Sequence, residues 1–185
     1  VNITASAITG INGGVGWLAT DVGRQIYFNS GYATITARTS ATVAVATVTT
    51  AFTNANAIAA WQLGSFSDTT GHPSCVTFFE QRLVFAGTTD QPQTIFFSKS
   101  GDYENMDENI GGTVADDDAM VYTIASNQVN AIRFMTATRT LIIGTAGGEF
   151  TVSGGGTDSA VTPTNILIKK QSNHGSANVD ALAVG

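Results

Sequence analysis

The chain has 185 residues, a net charge of −6 and only 12% charged residues, while Gly, Thr and Ser together make up about a third of it. A coiled coil is excluded because it needs abundant Glu, Lys and Leu at helical spacing, and the acidic balance argues against a dedicated DNA-binding module. There is no run of about 20 apolar residues, the length that spans a bilayer as a helix, and a single cysteine excludes an intrachain disulfide.

The first part of the chain is predicted to consist of short β-strands. Apolar residues alternate with Thr or Tyr, and β-branched side chains are frequent, both of which favour a pleated surface. The predicted strands are Gln25–Asn29, Tyr32–Arg38 and Ala41–Thr49. Before them, Leu18–Gly23 predicts a single helical turn and the glycine-rich Gly10–Gly16 a flexible connection.

The distribution of charge predicts two parts. Residues 1–66 carry a net charge of +1, residues 67–130 carry −8, and residues 131–185 carry +1. Such shifts in charge commonly mark a change of unit along a chain. We therefore predict a small β module over residues 1–63 and a mainly antiparallel β region over residues 64–185.

The second part contains strand signals and a weak internal repeat. The heptad Arg82–Thr88 matches Arg139–Thr145 in pattern, 57 residues later, and each is followed by an apolar strand ending at a serine. Repeated strand–Gly–Thr–turn–strand units are typical of neighbouring β-propeller blades, with hairpins of a β-sandwich as the alternative. The predicted strands are Val76–Phe79, Arg82–Ala86, Thr94–Ser98, Met120–Ala125, Ala131–Met135, Leu141–Gly144, Glu149–Ser153 and Ile166–Lys170.

Two blades do not close a ring, because propellers usually need at least about 4. The region is therefore expected to resemble the first blades of an incomplete propeller, and the chain to be a fragment of a longer protein. Its start at Val1, without a methionine, is consistent with that expectation.

The strongest charged feature is an acidic stretch over residues 101–118, which holds seven acids and no base. A solvated loop, or a patch facing a basic partner, is the favoured interpretation. A Ca²⁺ site in the run of three aspartates is the alternative, although the spacing of a calcium loop is absent. The candidate interface or lumen residues are Asp102, Glu104, Asp107, Glu108, Asp116, Asp117 and Asp118.

Few residues are available for catalysis. His72 and His174 lie in sequences typical of turns, and Cys75 precedes an apolar strand, where a buried thiol is expected. We predict no catalytic, cofactor-binding or metal-binding residues and no enzymatic activity. The enzymatic alternative is a polysaccharide-degrading enzyme, whose paired carboxylates would come from Asp102, Glu104 or Asp107.

Several motifs together resemble the tail nozzle family of short-tailed phages and prophages, also called the tail tubular protein B or tail hub family. The resemblance covers roughly residues 60–176, and Asp21–Arg24 and Ile35–Ala37 are similar to a small β module that often precedes them. The motifs are Trp61–Pro73, Thr77–Thr88, Gln91–Thr94, Ser98–Tyr103, Ser126–Asn130 and Gly144–Phe150.

The resemblance implies a structural virion component made in the bacterial cytoplasm. Members of the family form a hexameric ring below the portal and adaptor, contact other tail proteins, and build a conduit through which DNA leaves without specific binding. They contain a β-propeller and are far longer than this chain. No catalytic residue or cofactor is carried over. A propeller-type binding module for a protein or glycan is the alternative to this role.

Overall fold

The protein is a mainly β chain with almost no helix, and its sheets are antiparallel, one of them strongly curled into a half-barrel. The computed structural model describes residues 1–125, 129–179 and 181. Two compact units are present: Val1–Gly71 with Ile110–Gly112, and His72–Asn109 with Thr113–Gly185. The boundary drawn from the sequence, between residues 63 and 64, lies within the first unit.

The first unit contains a five-stranded antiparallel sheet in the order β1-β4-β3-β2-β5. Its core contains Ile26, Ala33 and Ile35, and the intervening Tyr27 and Tyr32 are also buried. The strands are β1 (Asn2–Thr4), β2 (Gln25–Phe28), β3 (Gly31–Arg38), β4 (Val43–Thr50) and β5 (Gln62–Leu63).

The segment expected to form a single helical turn does so, whereas the glycine-rich stretch differs from the prediction. Ala19–Asp21 forms a 3-10 turn, and Asn12–Gly14 forms another within the glycine-rich stretch. The glycine-rich stretch is not a loose connection, because the side chain of Asn12 donates to Asp21 Oδ2 at 2.7 Å and accepts from Arg24 at 3.0 Å. This buried network holds the stretch in place.

The second unit consists of two four-stranded antiparallel sheets, each with its strands in chain order. Sheet A contains β6 (Cys75–Phe79), β7 (Arg82–Ala86), β8 (Thr94–Phe97) and β9 (Met120–Thr123). Sheet B contains β10 (Ile132–Ala137), β11 (Leu141–Thr145), β12 (Gly148–Gly154) and β13 (Ile166–Ser172).

Sheets A and B share one hydrophobic core. Val84, Ile95 and Phe97 of sheet A pack in the same buried cluster as Leu141, Ile143 and Val152 of sheet B. Residues of a strand alternate between its two faces. Each sheet therefore has one face toward the shared core and an outer face on the opposite side.

The internal repeat corresponds to equivalent strands of the two sheets. Both heptads supply the second strand of their sheet, β7 and β11. Both repeated threonines bond to the residue three positions later, but in opposite directions: the Thr88 hydroxyl accepts from the amide of Gln91 at 2.9 Å, and the Thr145 hydroxyl donates to Gly148 O at 2.6 Å. The mainly β fold with propeller-like, four-stranded blades is confirmed.

Candidate functional site

The acidic stretch over residues 101–118 forms the long connection between β8 and β9 of sheet A. We refer to it as the acidic loop. It separates the third and fourth strands of sheet A. The equivalent connection in sheet B, between β12 and β13, is shorter and contains no run of acidic residues. The length of the acidic loop therefore explains why the two heptads lie further apart than neighbouring blades usually do.

A buried arginine at the start of β7 holds the end of the acidic loop. Arg82, only 2% exposed, donates from Nη1 to Ser98 O and to Asp118 O, both at 2.7 Å. Its Nη2 donates to Asp116 O at 2.6 Å. The guanidinium thus binds main-chain carbonyls of the aspartate run rather than its carboxylates, and fixes the path of the backbone there.

One aspartate of the run is turned inward. Asp118 is 1% exposed and its carboxylate lies 2.7 Å from Lys99 Nζ. The same carboxylate accepts from the amide of Ala115 at 2.8 Å and from Asn109 Nδ2 at 3.3 Å. These bonds close the end of the acidic loop and tie it to Lys99, the second residue after β8.

Burial and neighbouring charges act in opposite directions on the pKa values of this cluster. Burial lowers the pKa of Arg82, opposed by the carboxylates of Asp117, Glu80 and Asp118. Burial acts to raise the pKa of Asp118, but the Ala115 amide and Lys99 outweigh it and the pKa is lowered. Burial likewise acts against the charge of Lys99, yet its hydrogen bond to Asp118 raises its pKa.

The seven candidate residues of the acidic loop therefore divide by exposure. Asp118 belongs to the internal scaffold of the loop, and its carboxylate does not face solvent. Half-buried positions are occupied by Asp107 and Glu108. The exposed candidates are Asp102, Glu104, Asp116 and Asp117.

The tip of the acidic loop, residues 101–104, carries an exposed aromatic side chain beside sheet A. The ring of Tyr103 packs edge-on against Phe78 of β6, with ring centroids 5.2 Å apart and planes at 75°. Neither ring is covered by the chain, since Phe78 is 61% and Tyr103 44% exposed. The pair is therefore an exposed aromatic feature of the surface, flanked by Asp102 and Glu104.

Sequence reasoning missed the role of Arg82 and of the Phe78–Tyr103 pair. Arg82 lies 34 and 36 positions away from two of the carbonyls that it binds, so no local spacing connects them. The internal repeat marked Arg82 as a recurring residue, because an arginine begins both heptads, but it did not indicate what Arg82 binds. However, Arg139 is exposed and pairs with Asp158 at the surface.

The other chemistry-bearing residues do not assemble into a site. Cys75 packs against the shared core of the second unit, and His72 and His174 are exposed. Across residues 1–125, 129–179 and 181, no group of three or more His, Cys, Asp or Glu side chains is arranged to hold a metal ion. The same part of the chain contains no helix with the length and hydropathy needed to cross a membrane.

Comparison with known proteins returns no match for this chain, either among models of protein families or among curated proteins. The Ser126–Asn130 motif of the resemblance lies partly outside the described residues. The remaining motifs lie on described strands and turns of both units, most of them in sheets A and B and the acidic loop.

Proposed function

We propose that this chain is a non-enzymatic structural component of a phage or prophage tail, of the nozzle or hub type. In this role its copies assemble with one another and with other tail proteins around a conduit for DNA ejection. The observation that carries the proposal is the duplicated four-stranded meander of sheets A and B on one shared core. Successive meanders of this kind are the building units of a propeller, and the family resembled by the motifs contains one.

The electrostatics of the acidic loop support a conduit role. Asp116 and Asp117 are exposed side chains on a backbone that Arg82 fixes from the inside. Carboxylates held at a lumen repel the phosphates of passing DNA, which lowers the friction of ejection by preventing binding. Residues that bind DNA would instead present lysines and arginines along the path.

The structural role is also supported by the way in which the acids are used. A glycosidase needs two carboxyl groups that face each other across a cleft at a fixed separation. In the acidic loop, Asp107 accepts from the amide of Asn109 at 2.9 Å, and Asp118 is bound by Lys99. These two carboxylates stabilise the loop itself.

The location of the protein provides the direct test. Antibodies against the chain, used for immunogold labelling of particles released from induced cells that carry the gene, are expected to label one end of the particle. Particles from cells in which the gene is deleted are the control. Label that remains with the cell debris and never with particles would overturn the proposal.

Assembly and activity provide the second test. Native mass spectrometry and negative-stain microscopy of the chain are expected to show a closed ring of identical copies. Asp116→Lys with Asp117→Lys is expected to leave the fold intact, because Arg82 binds their carbonyls, and to slow DNA ejection. Release of sugars from the host polysaccharide, abolished by Asp102→Asn or Glu104→Gln, would instead establish the enzymatic alternative.

A further inference from the structure

The tip of the acidic loop is a rigid surface rather than a loose end. The amide of Gly101 donates to Gln81 O at 2.8 Å, and the amide of Lys99 donates to Asn105 O at 2.8 Å. The amide of Ser100 donates to Asp117 O at 2.9 Å. A surface held in one conformation loses little entropy when a partner docks on it.

The exposed side chains around this tip are apolar and acidic. Val76 is 60% exposed and lies two residues before Phe78, so both project from the outer face of sheet A. Asp102 and Glu104 lie on either side of Tyr103 and are exposed. We call this set the tip surface. A partner for it needs an apolar area bordered by positive charge.

The outer face of sheet B has the complementary chemistry. Ile166 and Ile168 of β13 pack on the shared core, so Lys169 projects from the opposite face. In the strand register Lys169 is opposite Thr151, and Thr151 is opposite Ile142, which places Ile142 on that same outer face. Lys170 is exposed too, but it lies opposite Phe150 on the core side of β13, so Lys169 is the lysine that this strand presents on the outer face.

The two complementary surfaces lie on opposite sides of one copy. The shared core is between sheets A and B, and the tip surface and Lys169 both face away from it. They therefore do not meet within a chain, whereas they meet when one copy stacks on the next. A patch that binds a different patch of an identical copy is a heterologous contact, which produces rings or open chains of subunits.

We propose that the tip surface is the docking site for a second copy of this chain, which it contacts through Lys169 and Ile142 on the outer face of sheet B. This inference rests on the proposed function, because it names the surfaces by which the copies of the conduit associate. The aromatic pair supplies the apolar contact, and the carboxylates of Asp102 and Glu104 pair with Lys169 at its border. Such charge pairing orients the copies and makes their association sensitive to salt.

Zero-length cross-linking provides the test. A carbodiimide joins a carboxylate to a lysine amine only when the two are in contact, and a mixture of ¹⁴N- and ¹⁵N-labelled chains separates links between copies from links within one. The expected product joins Asp102 or Glu104 of one copy to Lys169 of another, and it diminishes at high salt. Mixed-isotope links at other positions, or no links between copies, would overturn the inference.

Charge reversal tests the same contact without cross-linking. Asp102→Lys with Glu104→Lys is expected to weaken self-association about tenfold or more, as is Lys169→Glu. Mixing the two variants is expected to restore association, because each then presents the charge that the other lacks. Asp90→Lys with Asp158→Lys is the control, since it makes the same change in net charge at exposed positions elsewhere in the unit.

The outcomes separate this inference from the proposed function. Rings that persist in both charge-reversed variants would overturn the docking site and leave the conduit intact. Tip-to-β13 links in open chains of copies that never close would support the docking site and count against a conduit. Circular dichroism of each variant identifies any loss of association that is caused by unfolding.

Discussion

Replacement of Arg82 by methionine is expected to destabilise the second unit by about 3 kcal/mol. Hydrogen bonds to a charged group contribute about 1.5 to 3 kcal/mol each, and the bonds from Arg82 to Ser98 O and Asp118 O are both buried. Methionine fills the volume of the aliphatic stem but leaves these carbonyls without a donor. Two such bonds together contribute about 3 to 6 kcal/mol. Removal of the buried charge offsets part of this loss, so the expected decrease in the free energy of unfolding is near the lower end of that range.

Urea unfolding followed by far-UV circular dichroism measures this change. Both tryptophans, Trp17 and Trp61, lie in the first unit, so tryptophan fluorescence is not a direct probe of the second unit. Hydrogen exchange then locates the effect: the amides of Ala115 and Asp118 are expected to lose protection, while those of β2 and β3 keep it.

The repeat provides a matched control for this prediction. Arg139→Met changes the arginine at the same heptad position, but this side chain is exposed and pairs with Asp158 at the surface. Exposed pairs contribute little, so no measurable change is expected. If Arg82→Met were less destabilising than about 1 kcal/mol, or no worse than Arg139→Met, the clamp on the acidic loop would not be an important source of stability.

Three further predictions follow from other contacts. Because the pKa of Asp118 is lowered on folding, its carboxylate stabilises the protein above the unfolded pKa of about 4, and this stability is lost as pH falls through the folded pKa. Because the pKa of Lys99 is raised, its ammonium stabilises the protein below the unfolded pKa of about 10.5, and this stability is lost as pH rises through the folded pKa. Urea titrations at a series of pH values measure both losses, and Asp118→Asn is expected to reduce the acid one. Gly144→Ala is expected to destabilise by about 1 to 3 kcal/mol, since the added methyl group would lie 2.6 Å from Phe134 Cζ; calorimetry measures it. Asp21→Ala is expected to cost about 3 to 5 kcal/mol because it leaves a buried arginine unpaired, and tryptophan fluorescence in urea measures it.

Specific results would contradict each of these three. An acid transition that is unchanged in Asp118→Asn would assign the pH dependence to other carboxylates. Phe134→Leu is expected to restore part of the stability that Gly144→Ala removes. If it does not, the ring of Phe134 is not the group with which the added methyl group clashes. Asp21→Asn is the control for the first unit, because it retains an acceptor for the amide of Leu18, and it should be less harmful than Asp21→Ala.

The strands of the second unit were predictable because their signals are local. The alternation of Arg82–Ala86 gives a core-facing Val84 and Ala86 without any tertiary information, and β7 has those bounds. β1 and β5 were missed because they are three and two residues long, too short for a periodic pattern. They exist only because longer strands offer them an edge for pairing.

The candidate site was predictable in its charge but not in its arrangement. Composition alone marks the acidic loop, and the exposure of Asp102 and Asp117 is consistent with a solvated stretch. The inward turn of Asp118 depends on Lys99, 19 positions earlier and partly buried. Adjacent aspartates look alike in a sequence, and only the fold distinguishes the one that has a cation next to it.

The way in which Arg82 holds the aspartate run also bears on how this protein evolves. Because the guanidinium of Arg82 binds main-chain oxygens, the same bonds form whatever side chains these residues carry. Asp116 and Asp117 are therefore open to replacement by neutral or basic residues with the same backbone path. The charge displayed at this position is thus able to change in evolution while the scaffold underneath stays the same.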